Sequence, residues 1–229
     1  MATILQIETA TQVCSVAIAI NGETIALKEE AAQNIHASSL TLFIEEIMHS
    51  AKLKYKDLDA IAVSKGPGSY TGLRIGVSTV KGLCFALDKP FIGVSTLQMM
   101  ANGYLKEHPN YGGLICPMID ARRMEVFAAV YNNKLKEIEA VNAKIVDEKS
   151  FILELDRNYV TFIGDGAEKC IPVLDHQNAH FSTQNYNSAA HMSSLAYQAF
   201  LDKNFEDVAY FEPFYLKDFV FTTPKKKTI

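Results

Sequence analysis

Two short segments carry carboxylates followed by groups that could handle a phosphate. Glu8-Thr9-Ala10-Thr11 offers an acid and two hydroxyls, and Asp120-Ala121-Arg122-Arg123 offers an acid with two guanidinium groups behind it. Backbone must approach a phosphate closely, and neither segment supplies the glycine that permits this. Glu8, Thr9 and Asp120 therefore read as a vestigial nucleotide site. A salt bridge from Asp120 to Arg122 or Arg123 is favoured over a catalytic role. A third segment, Lys65-Gly66-Pro67-Gly68-Ser69-Tyr70, has the glycines of a phosphate loop, but its lysine precedes them instead of following them into a helix. A tight strand-to-helix turn explains these residues better than an anion site at the next helix N-terminus.

Metal and nucleophile chemistry find little support. His36, His49, His108, His176, His180 and His191 show no triad or ligand spacing. His176 and His180 are four apart, yet Asp175 and Asn178 make that stretch read as a solvated polar loop rather than a zinc site. Cys14, Cys84, Cys116 and Cys170 lie far apart, as reduced and mostly buried thiols do. No catalytic or metal-ligating residue is assigned.

The elements that would position these groups begin with three strands: Thr3 to Glu8, the alternating Val13 to Ile20, and Glu23 to Glu30. Asn21-Gly22 is a hairpin signal, since both residues tolerate positive φ. His36 to Lys52 switches to helical period, with Leu40, Phe43, Ile44 and Ile47 on one stripe, Leu42 off it, and Ser38 or Ser39 as caps. Ala60 to Ser64 is a wholly apolar strand, Thr71 to Leu87 a helix, Pro90 to Val94 a strand, and Ser95 opens a helix to about Glu107. Gly72, Gly76, Ser78, Thr79 and Gly82 give the Thr71–Leu87 helix small residues along its length. Each helical glycine costs about 1 kcal/mol relative to alanine, so something packs close, either a partner helix or the chain's own sheet.

Three strands, helix, strand, helix, strand is the layout of a ribonuclease-H-like lobe. After His108-Pro109 the pattern restarts with Leu114 to Asp120, Arg123 to Tyr131 and a third strand past Asn132-Asn133. Val160 to Ile163 (strand), Ala189 to Asp202 (helix) and Tyr210 to Leu216 (late strand or extended segment) follow less tidily. The expected fold is α/β, two such lobes of the actin and Hsp70-like ATPase superfamily with the second degraded. The lobes divide as residues 1–108 and 109–229.

A net charge of −4 over 229 residues argues against a surface whose main task is gripping nucleic acid. The only basic run is Lys225-Lys226-Lys227, which reads as a solvated terminus. MATILQIETATQ lacks the features of a secretory signal, and no apolar run approaches a membrane span, so the expectation is a cytoplasmic protein with no membrane partner.

The block SKGPGSYTGLRIGVSTVKGLCFALDKPFIGVSTLQMMA (Ser64 to Ala101) resembles the TsaB family, also called YeaZ. So do ETATQVCSVAI, PMIDARRMEVFAAVY and EPFYLKDF. The paralogous TsaD (Kae1-type) catalytic family shares the GPG loop and carries two metal-binding histidines in a pattern like G-V-N-H-L-E-A-H. The matching stretch here is Gly93-Val94-Ser95-Thr96-Leu97-Gln98-Met99-Met100, with Thr96 and Met100 at the histidine positions. Threonine and methionine make a poor site for a divalent ion. The resemblance implies a non-catalytic subunit that pairs with a TsaD-type enzyme through helices of its first lobe and is joined by a TsaE-type ATPase. The pair transfers threonylcarbamoyl from its adenylate to N6 of the adenosine next to the anticodon, so tRNA is met indirectly. Alone, the chain would form a homodimer. A nucleotide would sit only at the TsaD junction, and no cofactor of its own is implied. On this reading the interface comprises Leu40, Phe43, Ile44, Ile47, Gly72, Leu73, Gly76, Val77 and Val80. The rival readings are a metallopeptidase and an actin-like ATPase or kinase.

Overall fold

The computed structural model of the chain describes residues 1–32 and 35–217, which leaves Lys225–Lys227 outside the described residues. Strands β1 (Thr3–Glu8), β2 (Val13–Ile20) and β3 (Glu23–Ala31) form the antiparallel meander that the alternation predicts. Asn21 (φ 51°) and Gly22 (φ 85°) make its second turn in left-handed backbone, the conformation their side chains allow. β4 (Ala60–Ser64) adds parallel to β1 and β5 (Phe91–Val94) parallel to β4, giving the order β3-β2-β1-β4-β5.

Alternation along β1 and β4 sends apolar residues to both faces, because both faces are covered. Leu5, Ile7, Ile61 and Val63 meet α1 (Ile35–Ser50) and α2 (Tyr70–Leu87) on the outer side. On the inner side Ile4, Ala60, Ala62 and Ile92 meet α3 (Thr96–Glu107). α1 begins at Ile35, so Ser38 and Ser39 lie inside its first turn and do not cap it; the Ser38 hydroxyl instead donates to the Ile35 carbonyl at 3.1 Å. Ser95 does cap α3.

A second sheet repeats the first strand for strand. β6 (Leu114–Asp120), β7 (Glu125–Tyr131), β8 (Glu137–Ile145), β9 (Val160–Ile163) and β10 (Ala179–Ser182) lie in the order β8-β7-β6-β9-β10. The reduction expected of this lobe therefore lies in its helices. α4 (Ile152–Leu155) has 4 residues where α1 has 16, and a 3-10 turn at Glu168–Cys170 is the helical element between β9 and β10. β10 also corrects the reading of His176 to His180 as a loop, since His180 lies on that strand.

The last helix, α5 (Ser193–Leu201), belongs to the second half in sequence but completes the first lobe in space. The Ser193 hydroxyl donates to Gln6 Oε1 at 2.9 Å, and Tyr197 packs over Gly22. Residues 206–217 then run along β5 and α2, with Glu206 N–H donating to the Phe91 carbonyl and Phe214 N–H to the Lys65 carbonyl. They form one isolated bridge, Phe91 to Glu206, and no strand over Tyr210 to Leu216. A cut after residue 108 thus separates the two sheets but divides the first lobe from its own α5.

Candidate functional site

The β1–β2 turn and the N-terminal half of α2 are built against each other. Ser69 caps α2 by accepting from Gly72 N–H, and its own N–H donates to the Ala10 carbonyl at 2.7 Å. The Thr9 hydroxyl donates to the Gly72 carbonyl at 2.8 Å. A Cβ at Gly72 would fall on the Thr9 carbonyl oxygen, and one at Gly76 on the Thr9 hydroxyl. These glycines make room for the chain's own turn. The turn from Lys65 to Gly72 is tied down in the same way: Ser69 N–H serves the Ala10 carbonyl, and Gly72 N–H the Ser69 hydroxyl.

Glu8 ends β1 with no exposed surface. Its Oε1 accepts from Ala10 N–H, whereas Oε2 has no partner among the described residues. Burial pushes the carboxyl up to about 7, against the opposing effects of the Ala10 N–H and the neighbouring Ser64 hydroxyl. Burial, reinforced by Glu8, also pushes the Cys14 thiol up to about 11.

Asp120 occupies the equivalent end of β6 and is exposed. Its expected salt bridge to Arg122 or Arg123 does not form. Lys169, 49 residues on, takes Oδ1, and Arg122 contributes only its backbone N–H, at 2.9 Å. Both arginines are exposed and in left-handed backbone, at φ 73° and 51°. Neither guanidinium group is paired with the carboxylate that sequence proximity suggests.

All nine residues expected at a partner interface lie in the interior. Leu40, Phe43, Ile44 and Ile47 are buried against the first sheet together with Val77 and Val80. Gly72, Leu73 and Gly76 are buried as well. Turning the four α1 side chains outward would forfeit about 1.5–3 kcal/mol each. They belong to the core.

Among the described residues, the exposed surface of these helices is the opposite face. On α2 it carries Ser78, Gly82, Phe85 and Ala86, with Phe85 86% exposed and open space around Gly82. On α1 it carries Leu42, 60% exposed. The signal was present in the sequence: Leu42 is the one apolar residue off the helix's buried stripe.

The remaining candidates do not assemble into a centre. Thr96 and Met100 are fully buried, and Thr96 Oγ1 has no partner among the described residues. His176 Nε2 sits 3.6 Å from Asp156, whereas His180 packs near the Tyr159 ring. The four cysteines are free and buried.

Two sheets of one strand order, each opened by a hairpin whose first strand ends in a carboxylate, define a two-lobed protein of the actin-like ATPase fold. Component A of (R)-2-hydroxyglutaryl-CoA dehydratase from Acidaminococcus fermentans shares it, with a TM-score of 0.51 at 13% identity over 86% of this chain and 98% of that one. Within that class, the chain belongs to the TsaB family of tRNA threonylcarbamoyladenosine biosynthesis proteins. It is 32% identical to the Escherichia coli protein TsaB over 225 residues, 94% of each chain. A Pseudomonas aeruginosa crystal structure, described as similar to peptidase YeaZ, matches with a TM-score of 0.84 at 25% identity over 95% of this chain and 100% of that one. Residues 25–227 also match the family described as TsaD, tRNA N6-adenosine threonylcarbamoyltransferase.

Proposed function

We propose that this chain is a non-catalytic subunit. In this reading it holds a TsaD-type enzyme through the outer face of α1 and α2, and a TsaE-type ATPase joins at that junction. The transfer of threonylcarbamoyl to N6 of the adenosine next to the anticodon then belongs to the partner. The carrying observation is the outer face of α2, where a bare glycine, Gly82, lies beside the strongly exposed Phe85. Small residues let a partner helix approach closely, and an exposed aromatic supplies an anchor. The same face would serve a homodimer when the partner is absent. The seated β1–β2 turn supports the absence of catalysis, because its backbone faces α2 rather than a ligand. No helix among the described residues is long and apolar enough to cross a membrane.

Phe85→Arg tests this reading. The side chain is exposed, so the melting temperature should match the parent. Capture of a TsaD-type partner and self-association should both fall at least about tenfold, because an unpaired charge in an interface costs about 2 kcal/mol or more. Parental affinity in the variant would place the interface elsewhere.

A further inference from the structure

The β2–β3 turn of the first lobe uses Asn21-Gly22, residues that left-handed backbone favours. The second lobe uses the same region of backbone at the β6–β7 turn but fills it with Arg122 and Arg123. Arginine there loses stability relative to glycine, which has no Cβ, or asparagine, whose short side chain can bond locally, and two in succession lose it twice. Among the described residues Arg122 and Arg123 are the one consecutive pair of non-glycine residues in that conformation.

Among the described residues, the surrounding carboxylates are spent on other partners. Asp120, the nearest acid in sequence, is paired with Lys169, which also donates to the Glu125 carbonyl at 2.7 Å. Glu125 is paired with Lys217, 92 residues on. Asp165 spends Oδ1 on the Asp120 N–H, at 3.1 Å. Lysines from distant parts of the chain thus match the turn's own carboxylates, and neither arginine side chain has a hydrogen bond or ion pair among the described residues.

We propose that Arg122 and Arg123 contact the phosphodiester backbone of tRNA. This deepens the functional reading, on which the chain works in an assembly that modifies tRNA. Both arginines are exposed on this turn. A polyanion needs no enclosure, since counterion release drives its binding. Paired guanidinium groups also match phosphate oxygens in geometry. The contact is local, which reconciles it with a chain of net charge −4.

The double variant Arg122→Gly, Arg123→Gly separates this use from a structural one. Glycine relieves the left-handed backbone, so the variant should melt at the parental temperature or a few degrees above it. Binding of unmodified tRNA to the purified full chain, followed by fluorescence anisotropy from 50 to 200 mM salt, should weaken at least about tenfold at the lowest salt. The slope of log K against log salt should become shallower by about 1.5–2, near 0.9 for each phosphate no longer neutralised. Equal affinity and slope in variant and parent would overturn the proposal, as would a parent chain that binds no tRNA at 50 mM salt. Capture of the TsaD-type partner should be unchanged. If it falls while tRNA binding holds, the arginines face protein carboxylates and the proposal is lost. Partner capture by the parent chain reads the subunit assignment separately.

Discussion

Gly72→Ala is expected to destabilise the chain by about 3 kcal/mol or more, lowering the melting temperature by about 6–12 °C. The added Cβ would overlap the Thr9 carbonyl oxygen, which is backbone and held in place by β1 pairing with β2 and β4. Relief requires the β1–β2 turn to lift from α2, breaking the Thr9 hydroxyl bond to Gly72 and the Ser69 bond to Ala10. Gly76→Ala differs in kind, because its Cβ would meet the Thr9 hydroxyl rather than a carbonyl. Adding Thr9→Ala should rescue Gly76→Ala by about 1–2 kcal/mol and leave Gly72→Ala unrescued. Thermal melts of the three single and two double variants check this. Equal rescue at both glycines would mean that the turn does not sit where the structure places it.

Those glycines also show where sequence reading ran out. Spacing announces that something approaches α2 closely, since a helix tolerates repeated glycine only for a reason. It does not say what approaches, because the answer comes from a turn 63 residues earlier in the chain. Elements set by local pattern were legible: the β1–β3 meander from alternation and Asn21-Gly22, β4 from its apolar run, and α3 from its opening Ser95. The strand repeat in the second lobe was only half legible. β10 has 4 residues and a partly exposed pattern, too short for alternation to register. Long-range pairings left no local trace. Asp120 pairs with Lys169, 49 residues on, rather than with the adjacent arginines. Likewise α5 returns to the first sheet through Ser193 and Gln6, 187 residues apart. The apolar stripe of α1, expected at a partner interface, is buried in the core instead, and Leu42, which that stripe leaves out, is the exposed one.

The buried carboxyl at the end of β1 leads to the second large effect. Glu8→Gln should stabilise the chain at pH 8 by up to about 3 kcal/mol and have little effect near pH 4. The native carboxyl titrates at about 7, whereas its reference value is 4.5. The folded chain therefore holds the Glu8 proton more tightly than the unfolded chain does. Glu8 contributes fully below about pH 4.5, where it is protonated in both states. As pH rises from there to about 7 the unfolded state ionises first and stability is lost; above 7 the loss is complete. A difference of about 2.5 between these values corresponds to about 3 kcal/mol, at 1.36 kcal/mol for each. Glutamine is neutral throughout and keeps an oxygen for the Ala10 N–H. Other titrating groups are common to parent and variant, so the quantity to follow is the difference in their urea midpoints from pH 4 to 8.5. It should grow in favour of the variant between pH 4.5 and 7 and then level off. A difference independent of pH would show that Glu8 is ionised in the folded chain, satisfied by the hydroxyls around it at no cost to stability.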